Sequence, residues 1–473
     1  MMIDIDYVPL ISSISLGTVG LFYLLWVMGD RTPLLPTPDP LPVRKQENLT
    51  IFSPYRSLIF AGVGGLLFWS SFDSLLPTLP KYIEDLGATR WQVGMVMCCF
   101  TIGLFGLRPQ MGYLADLRSR KLVLMMGVSI VTVTPLLYIL VNSIGFLMAI
   151  RAFHGIAIAA FTTAYSALVV TQSPPEKRGQ MIGYLSMVRP LGMSIGPALG
   201  TWIQGEMGNQ ALFILAGGLG LLAMGCVSQV DEPEKTTTGY PELADKSNHE
   251  SSQFWQLVVS PRLRISTLVF FLGGLVFGTL SIFVALFMRE TGISTNAGWF
   301  FTAAGVANIA VRVLSSRVSD RYGRGIMITF GLVGYGVSVF MLSLAHNPAS
   351  FLLAGFLEGA GAGAWIPAMI ALVADRSGTH ERGRVYSVCL GGLDLGTAIS
   401  GPVMGVVADI WSYQVIFSLT AIVALVALAI FITQGNNGLI RSLKFALGQE
   451  PDFYALETGD SYPLAAKTSS CNP

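Results

Sequence analysis

The chain has 473 residues, of which 52% are apolar and only 12% charged, and its formal net charge is +1. A soluble domain carries about a quarter charged residues, so much of this surface is composed to face lipid. The near-neutral balance argues against nucleic acid as a partner. Five cysteines at 98, 99, 226, 389 and 471 show neither C-x-x-C nor paired spacing, so no disulfide framework, metal or cofactor is expected.

In chain order, the first apolar run is 7–28. It follows acidic Asp4 and Asp6 rather than a basic leader and ends at Asp30-Arg31, so an extra transmembrane helix is preferred over a cleaved signal. Five prolines in 32–42 make a semi-rigid linker, which completes an N-terminal region 1–56. Six apolar runs follow at 57–82, 91–114, 121–141, 145–171, 179–204 and 209–230, forming a first bundle over 57–230. Each is close to the ~20 residues a helix needs to cross the hydrocarbon. A polar linker at 231–260 precedes six more, at 264–289, 296–319, 325–345, 348–374, 383–409 and 412–433, in a second bundle over 261–433. The remainder, 434–473, is a polar tail with a short surface helix expected near 439–447.

Lysine and arginine gather in alternate loops. Arg118, Arg120, Lys121, Lys177, Arg178, Arg262, Arg264, Arg321, Arg324, Arg376, Arg382 and Arg384 fall on one side, against Lys81, Arg90 and Arg289 on the other. The positive-inside bias places the first set in the cytoplasm.

The two bundles are copies. Asp116 and Asp320, Arg108 and Arg312, Arg178 and Arg382, and Gly179 and Gly383 all stand 204 residues apart, and Gly196-Pro197 matches Gly401-Pro402 with one residue of slip. Such spacing is an internal duplication. The decapeptide Gly112-Tyr113-Leu114-Ala115-Asp116-Leu117-Arg118-Ser119-Arg120-Lys121 resembles the loop between the second and third helices of the major facilitator superfamily, G-x-L-a-D-r-x-G-R-K. Leu117 and Ser119 depart from it, whereas the second copy keeps Asp320-Arg321-Tyr322-Gly323-Arg324. The resemblance covers about residues 57–433 and implies two six-helix bundles around a central cavity. It also implies that Gly112, Asp116, Arg120, Lys121, Asp320, Arg321, Gly323 and Arg324 hold the cytoplasmic gate. Asp116 and Asp320 can accept from helix N-termini and pair with Arg120 or Arg324.

Two further motifs carry the resemblance toward proton-coupled efflux members. Leu147 to Ala160, with Arg151, His154 and Gly155, is similar to l-x-x-x-R-x-x-q-G-x-g-a-a, although His154 replaces Gln and Ala157 replaces the second Gly. In the family that Arg is tied to proton movement. Gly192-Met193-Ser194-Ile195-Gly196-Pro197-Ala198-Leu199-Gly200-Thr201 is similar to the antiporter pattern G-x-x-x-G-P-x-x-G-G, with Thr201 in place of the last Gly. Small residues one turn apart let helix backbones approach, and Pro197 bends the helix.

Charges inside apolar runs cost at least a few kcal/mol and usually face a cavity or a partner. Asp73, Arg108, Arg151, His154, Arg189, Arg312, Glu358 and Asp394 are such positions. Arg108 and Arg312 lie near the basic loops and read as structural pairs or snorkelling ends. Asp73 and Arg151 fall at similar depth, on the first and fourth helices of the first bundle, and are expected to form the proton-coupling pair, with Glu358 the next carrier. Trp69, His154, Arg189, Trp365 and Asp394 are expected to line the substrate cavity, and Phe72, Phe161, Tyr165 and Phe277 lie on the same spans.

The sequence therefore predicts an all-α polytopic membrane protein of two six-helix bundles plus an N-terminal helix. It is expected to be a monomer in the plasma membrane that carries small organic solutes in exchange for protons, by alternating access. An importer or uniporter for sugars or organic acids stays open. A receptor or membrane enzyme is the reading from another class, but no H-E-x-x-H or phosphate-cradling G-x-x-x-x-G-K-[ST] motif is present.

Overall fold

The computed structural model describes residues 55–174, 177–232, 260–293, 296–378 and 382–456. The expected helix at 7–28 lies outside these residues, as do most of the 231–260 linker and the end of the tail. Among the described residues eleven helical segments are long and apolar enough to cross a membrane. The longest of them, Arg178–Ser228, has 51 residues and breaks at Gly208, where φ is 84° and ψ −179°. Only glycine enters that region at little cost, so this segment turns back on itself and makes a twelfth crossing.

The first half consists of α1 (Arg56–Ser74), α2 (Thr78–Asp85), α3 (Arg90–Cys98), α4 (Phe100–Leu117), α5 (Arg120–Ile139), α6 (Ile144–Gln172), α7 (Arg178–Ser186) and α8 (Val188–Ser228). The second consists of α9 (Arg264–Glu290), α10 (Gly298–Tyr322), α11 (Arg324–Ser343), α12 (Pro348–Asp375), α13 (Arg382–Ile410) and α14 (Tyr413–Gln434), and α15 (Leu439–Ala446) follows in the tail. The runs expected to be single helices at 57–82, 91–114 and 179–204 are each interrupted, near Pro77, at Cys99 and at Met187. The other boundaries are set by side-chain caps. Thr89 with Gln92 and Asn347 with Ser350 form capping boxes, and Ser119 and Ser412 cap α5 and α14.

Glycine decides how the helices pack, since lipid supplies no hydrophobic drive between them. Gly192, Gly196 and Gly200 of α8 lie on Trp69, Ser70 and Ser74 of α1, where a Cβ would come within 2.4 Å of each. The second half repeats this with Gly396 of α13 against Phe271 of α9. The antiporter-like glycines are thus a packing ladder inside each half. The Gly-Pro step within each of these helices does something different. A Cβ at Gly94 would meet the Gly401 carbonyl at 2.0 Å, and one at Gly298 would meet the Pro197 carbonyl at 2.5 Å. Gly94 and Gly298 are themselves 204 apart, so two equivalent glycine seams join the halves.

Beyond these seams, one end of the molecule is tied shut. Arg90 pairs with Glu290 at 2.6 Å, and Arg289 with Asp85 at 2.5 Å and Glu84 at 3.4 Å. Asp409 caps the amides of Arg90 and Trp91 at 2.9 and 3.0 Å. Tyr413 donates to Glu84 at 3.1 Å. At the end with the basic loops, α7 carries no buried residue.

Candidate functional site

Between the halves lies a cavity of about 960 Å³ of atom-free space, counting its open mouth. The first half contributes Trp69, Phe72 and Asp73 of α1, Phe100 and Arg108 of α4, Arg151 and Thr162 of α6, and Arg189 of α8. The second contributes Phe277, Ser281 and Ile282 of α9 and Leu393, Asp394 and Thr397 of α13. The side chains of Arg108 and Asp394, which project between the bundles, are 41% and 30% exposed, so with the other end tied shut the cavity is open toward the end with the basic loops.

Asp73 and Arg151 both stand in this wall, but they do not touch. No ion pair joins them within 4 Å. The Arg151 guanidinium lies over the rings of Phe72 at 5.3 Å and Phe100 at 5.5 Å, and its Nη1 is 3.4 Å from His154 Nδ1. Asp73 Oδ2 and Arg151 Nε have no hydrogen-bond partner. The expected contact fails because depth along a helix fixes height and not direction. Arg151 is directed onto the Phe72 and Phe100 rings instead. Arg189, also in the wall, stacks its guanidinium on Trp69 at 4.8 Å.

Three expected site residues lie elsewhere. His154 is fully buried behind Phe72 and Tyr138, with ring centroids 4.9 and 6.4 Å away. Trp365 is fully buried in the second half, against Phe270 and Tyr335. Its repeat partner is Phe161, and the partner of Trp69 is Gly273, on which the Trp365 ring sits 2.7 Å from where a Cβ would be. The second half thus holds its large ring at the other position of the pair and turns it inward. Glu358 is 4% exposed inside the same bundle, beside Tyr335, and has no place in the cavity wall. Phe161 and Tyr165 are packed too, Phe161 stacked on Phe68 at 3.8 Å and on Tyr165 at 5.1 Å.

What the sequence missed is a bond across the cavity. Arg108 donates to Asp394 at 3.1 Å, linking α4 of one half to α13 of the other. Asp394 was expected to meet the solute, and Arg108 to be a structural pair or to snorkel. The structure spends Asp394 on Arg108 and makes that pair part of the cavity wall.

The loop motif also differs in detail. Arg120 does not pair with Asp116. Its amide donates to Glu232 at 2.7 Å and its guanidinium reaches the Ala167 carbonyl at 3.5 Å. Lys121 binds the Ser228 carbonyl at 2.8 Å. In the second copy Arg324 reaches Asp375 at 3.2 Å and Ser319 at 3.1 Å, and Arg321 lies over Tyr322 at 5.5 Å. Gly323 takes φ 93° between α10 and α11, and Gly112 faces Thr163 with room to spare. The side chain of Asp320 lies outside the described residues.

The profile of the Major Facilitator Superfamily matches residues 61–317 and again 266–443. The chain belongs to this superfamily. It is therefore an integral membrane transporter by family, and its two halves are the two six-helix bundles of that fold. Among curated relatives, Multidrug resistance protein MdtG of Serratia proteamaculans (strain 568) is 26% identical over 382 residues, 78% of this chain and 91% of its own. The protein of that name from Escherichia coli O1:K1 / APEC is 25% identical over 397 residues, 80% of this chain and 94% of its own. Among solved structures, a bacterial homologue of the human lysosomal transporter Spinster, inward-facing and unoccupied, superposes with a TM-score of 0.65 at 15% identity. It covers 80% of this chain and 96% of its own. The nucleoside transporter NupG gives 0.63 at 13% identity over 79% and 99% of the two chains. These likenesses are of fold.

Proposed function

We propose that the protein exports small organic, amphipathic solutes in exchange for protons, the two bundles rocking about the central cavity. The observation that carries this reading is Asp73. It is a carboxylate 7% exposed in the cavity wall, one oxygen of which has no partner, and Arg189 and Arg151 line the same cavity. Burial favours the protonated acid, and nearby cations favour the anion. A solute or a conformational change that engages the arginines therefore loosens their hold on the carboxylate and lets it take a proton. The relatives named for multidrug resistance support the choice of cargo and direction.

The basic loops are the cytoplasmic side in this proposal, so the structure is inward-open, with the Gly94 and Gly298 seams and the Arg90 and Arg289 pairs as the closed outer gate. Asp116, Arg120, Lys121 and Arg324 then stand at the inner gate, which is parted here. The protein acts as a monomer, since each chain holds a whole cavity.

The test is flux in proteoliposomes over a panel of amphipathic solutes, with and without an imposed pH gradient. Export predicts accumulation against the solute gradient only when the pH gradient is present, and a pH change in the lumen when solute is added. Solute movement that is downhill only, with no proton movement, would mark a uniporter instead.

A further inference from the structure

The tail leaves α14 through a turn at 435–438 and forms α15 across the basic-loop ends of three spans. Phe445 meets Phe431 of α14 with ring centroids 6.1 Å apart. A Cβ on Gly325, at the start of α11, would come within 2.1 Å of the Phe445 carbonyl. One on Gly448 would come within 2.6 Å of the Tyr322 carbonyl, at the end of α10. Ser442 accepts from the Asn436 amide and donates to its carbonyl, both at 2.9 Å. Further on, Asp452 holds Arg376, and the Leu456 amide donates to the Asp375 carbonyl at 2.9 Å.

These bonds fix which way each side of the helix faces. Successive residues are about 100° apart around the axis. Ser442, Phe445 and Ala446 form the side buried on the bundle. The next sector, about 100° wide, holds Leu439, Leu443, Leu447 and Ile440, all of them exposed, Ile440 at 70%. Leu447 belongs to this side although it caps the helix, since its amide bonds to the Leu443 carbonyl at 3.1 Å. Beyond the apolar sector come Lys444 and Arg441, both exposed. Arg441 reaches Glu450 at 3.6 Å and lies over Phe453 at 5.5 Å.

Four large apolar side chains gathered on one exposed side mark a surface for contact. The spans on which α15 packs carry exposed Phe330, Val333 and Val337 on α11 and Ile422, Leu425 and Val426 on α14. The helix therefore stands at the edge of a surface composed for lipid, level with the ends of the spans. A helix with an apolar side and basic residues beside it lies in the plane of the membrane interface, and its cations are drawn to anionic headgroups.

We infer that α15 is a lipid-binding element. Leu439, Ile440, Leu443 and Leu447 enter the acyl boundary of the leaflet at the basic-loop end, and Lys444 and Arg441 select phospholipids of net negative charge. Lipid held there bears on the second loop motif, because the tail is bonded to Asp375, the partner of Arg324. Neither the seat nor its test depends on which solute is carried.

For the test, Ile440→Cys is made in a background free of other cysteines and labelled with bimane. The full-length protein is placed in nanodiscs of phosphatidylcholine, into which acyl-brominated phosphatidylglycerol or acyl-brominated phosphatidylcholine is introduced in steps. Bromolipid should quench the label at 440 as it quenches one at Phe330→Cys on α11. Half-quenching should need about fivefold less phosphatidylglycerol than phosphatidylcholine, the effect of one cation near an anionic surface. Arg441→Gln with Lys444→Gln should abolish that preference, leaving quenching by phosphatidylcholine and the thermal midpoint in place. No quenching at 440 beside full quenching at 330 would overturn the inference and leave this face to water or to another protein. Equal quenching by the two lipids would overturn it too, as would a preference that survives the double variant.

Discussion

The two halves of this protein share one design and divide the work unequally. At the positions that face the cavity, the first half places Asp73, Arg151 and Arg189, and the equivalents of the first two in the second half are Phe277 and Gly355. The first wall is charged and incompletely paired. The second carries a single charge, Asp394, which is already held by Arg108. A duplicated transporter needs one set of titrating groups and one surface for the solute to slide on, and the divergence of the copies provides both.

Exchanging the residues across the symmetry tests this division most severely. In the double variant Asp73→Phe with Phe277→Asp, the wall keeps its composition but moves its carboxylate to the other half. Gradient-driven flux in proteoliposomes should fall to background, and restored flux would show that the halves are interchangeable.

The seams are where the halves are alike, so matched changes should behave alike. Gly94→Val and Gly298→Val each push a side chain into the partner backbone. Both should part the closed end, so that a thiol at Leu76→Cys, in a background free of other cysteines, reacts with a membrane-impermeant maleimide added from that side. If only one of the two opens, the seams are not equivalent.

A smaller effect comes from the tie-down at the basic end of each half. Glu232 accepts from the Arg120 amide and from Ser119 in the first half. In the second, Asp452 of the tail holds Arg376 with two bonds of 2.7 Å, and the two side chains are 8% and 1% exposed. Leaving a buried charge alone costs about 3–5 kcal/mol. Asp452→Ala should therefore lower stability by that order in a denaturation assay, and Glu232→Ala, which loses neutral donors, by less. The smallest effect belongs to Arg289→Ala at the closed end. The arginine is 50% exposed and Asp85 44%, and such a pair contributes about 0–1 kcal/mol. A larger loss would mean that this gate, and not the glycine seams, holds the halves together.

The fold was legible because it is written twice. Apolar runs of crossing length and a spacing of 204 residues are properties of the chain alone, and twelve crossings follow from them. The site was legible only in part. A charge in an apolar run announces that it faces something, and Asp73, Arg151, Arg189 and Asp394 do face the cavity. Hydropathy says nothing of direction when a helix is apolar all round. His154, three residues from Arg151, therefore points into the bundle, and Glu358 and Trp365 are buried likewise. Trp365 could have been placed from the repeat, because Gly273 at the position of Trp69 leaves a hole that only a ring from the same bundle can fill. The Arg108–Asp394 bond needed the halves to be docked, and no spacing within one copy contains that distance.

The central claim is that a carboxylate in the wall of the first half carries the proton. Its most direct measurement is transport by Asp73→Asn, once with a pH gradient and once as solute exchange at equal pH on both sides. The account predicts that gradient-driven accumulation is lost while exchange continues, since the cavity and both gates are intact. Accumulation that persists in Asp73→Asn would contradict it and move the proton to another group.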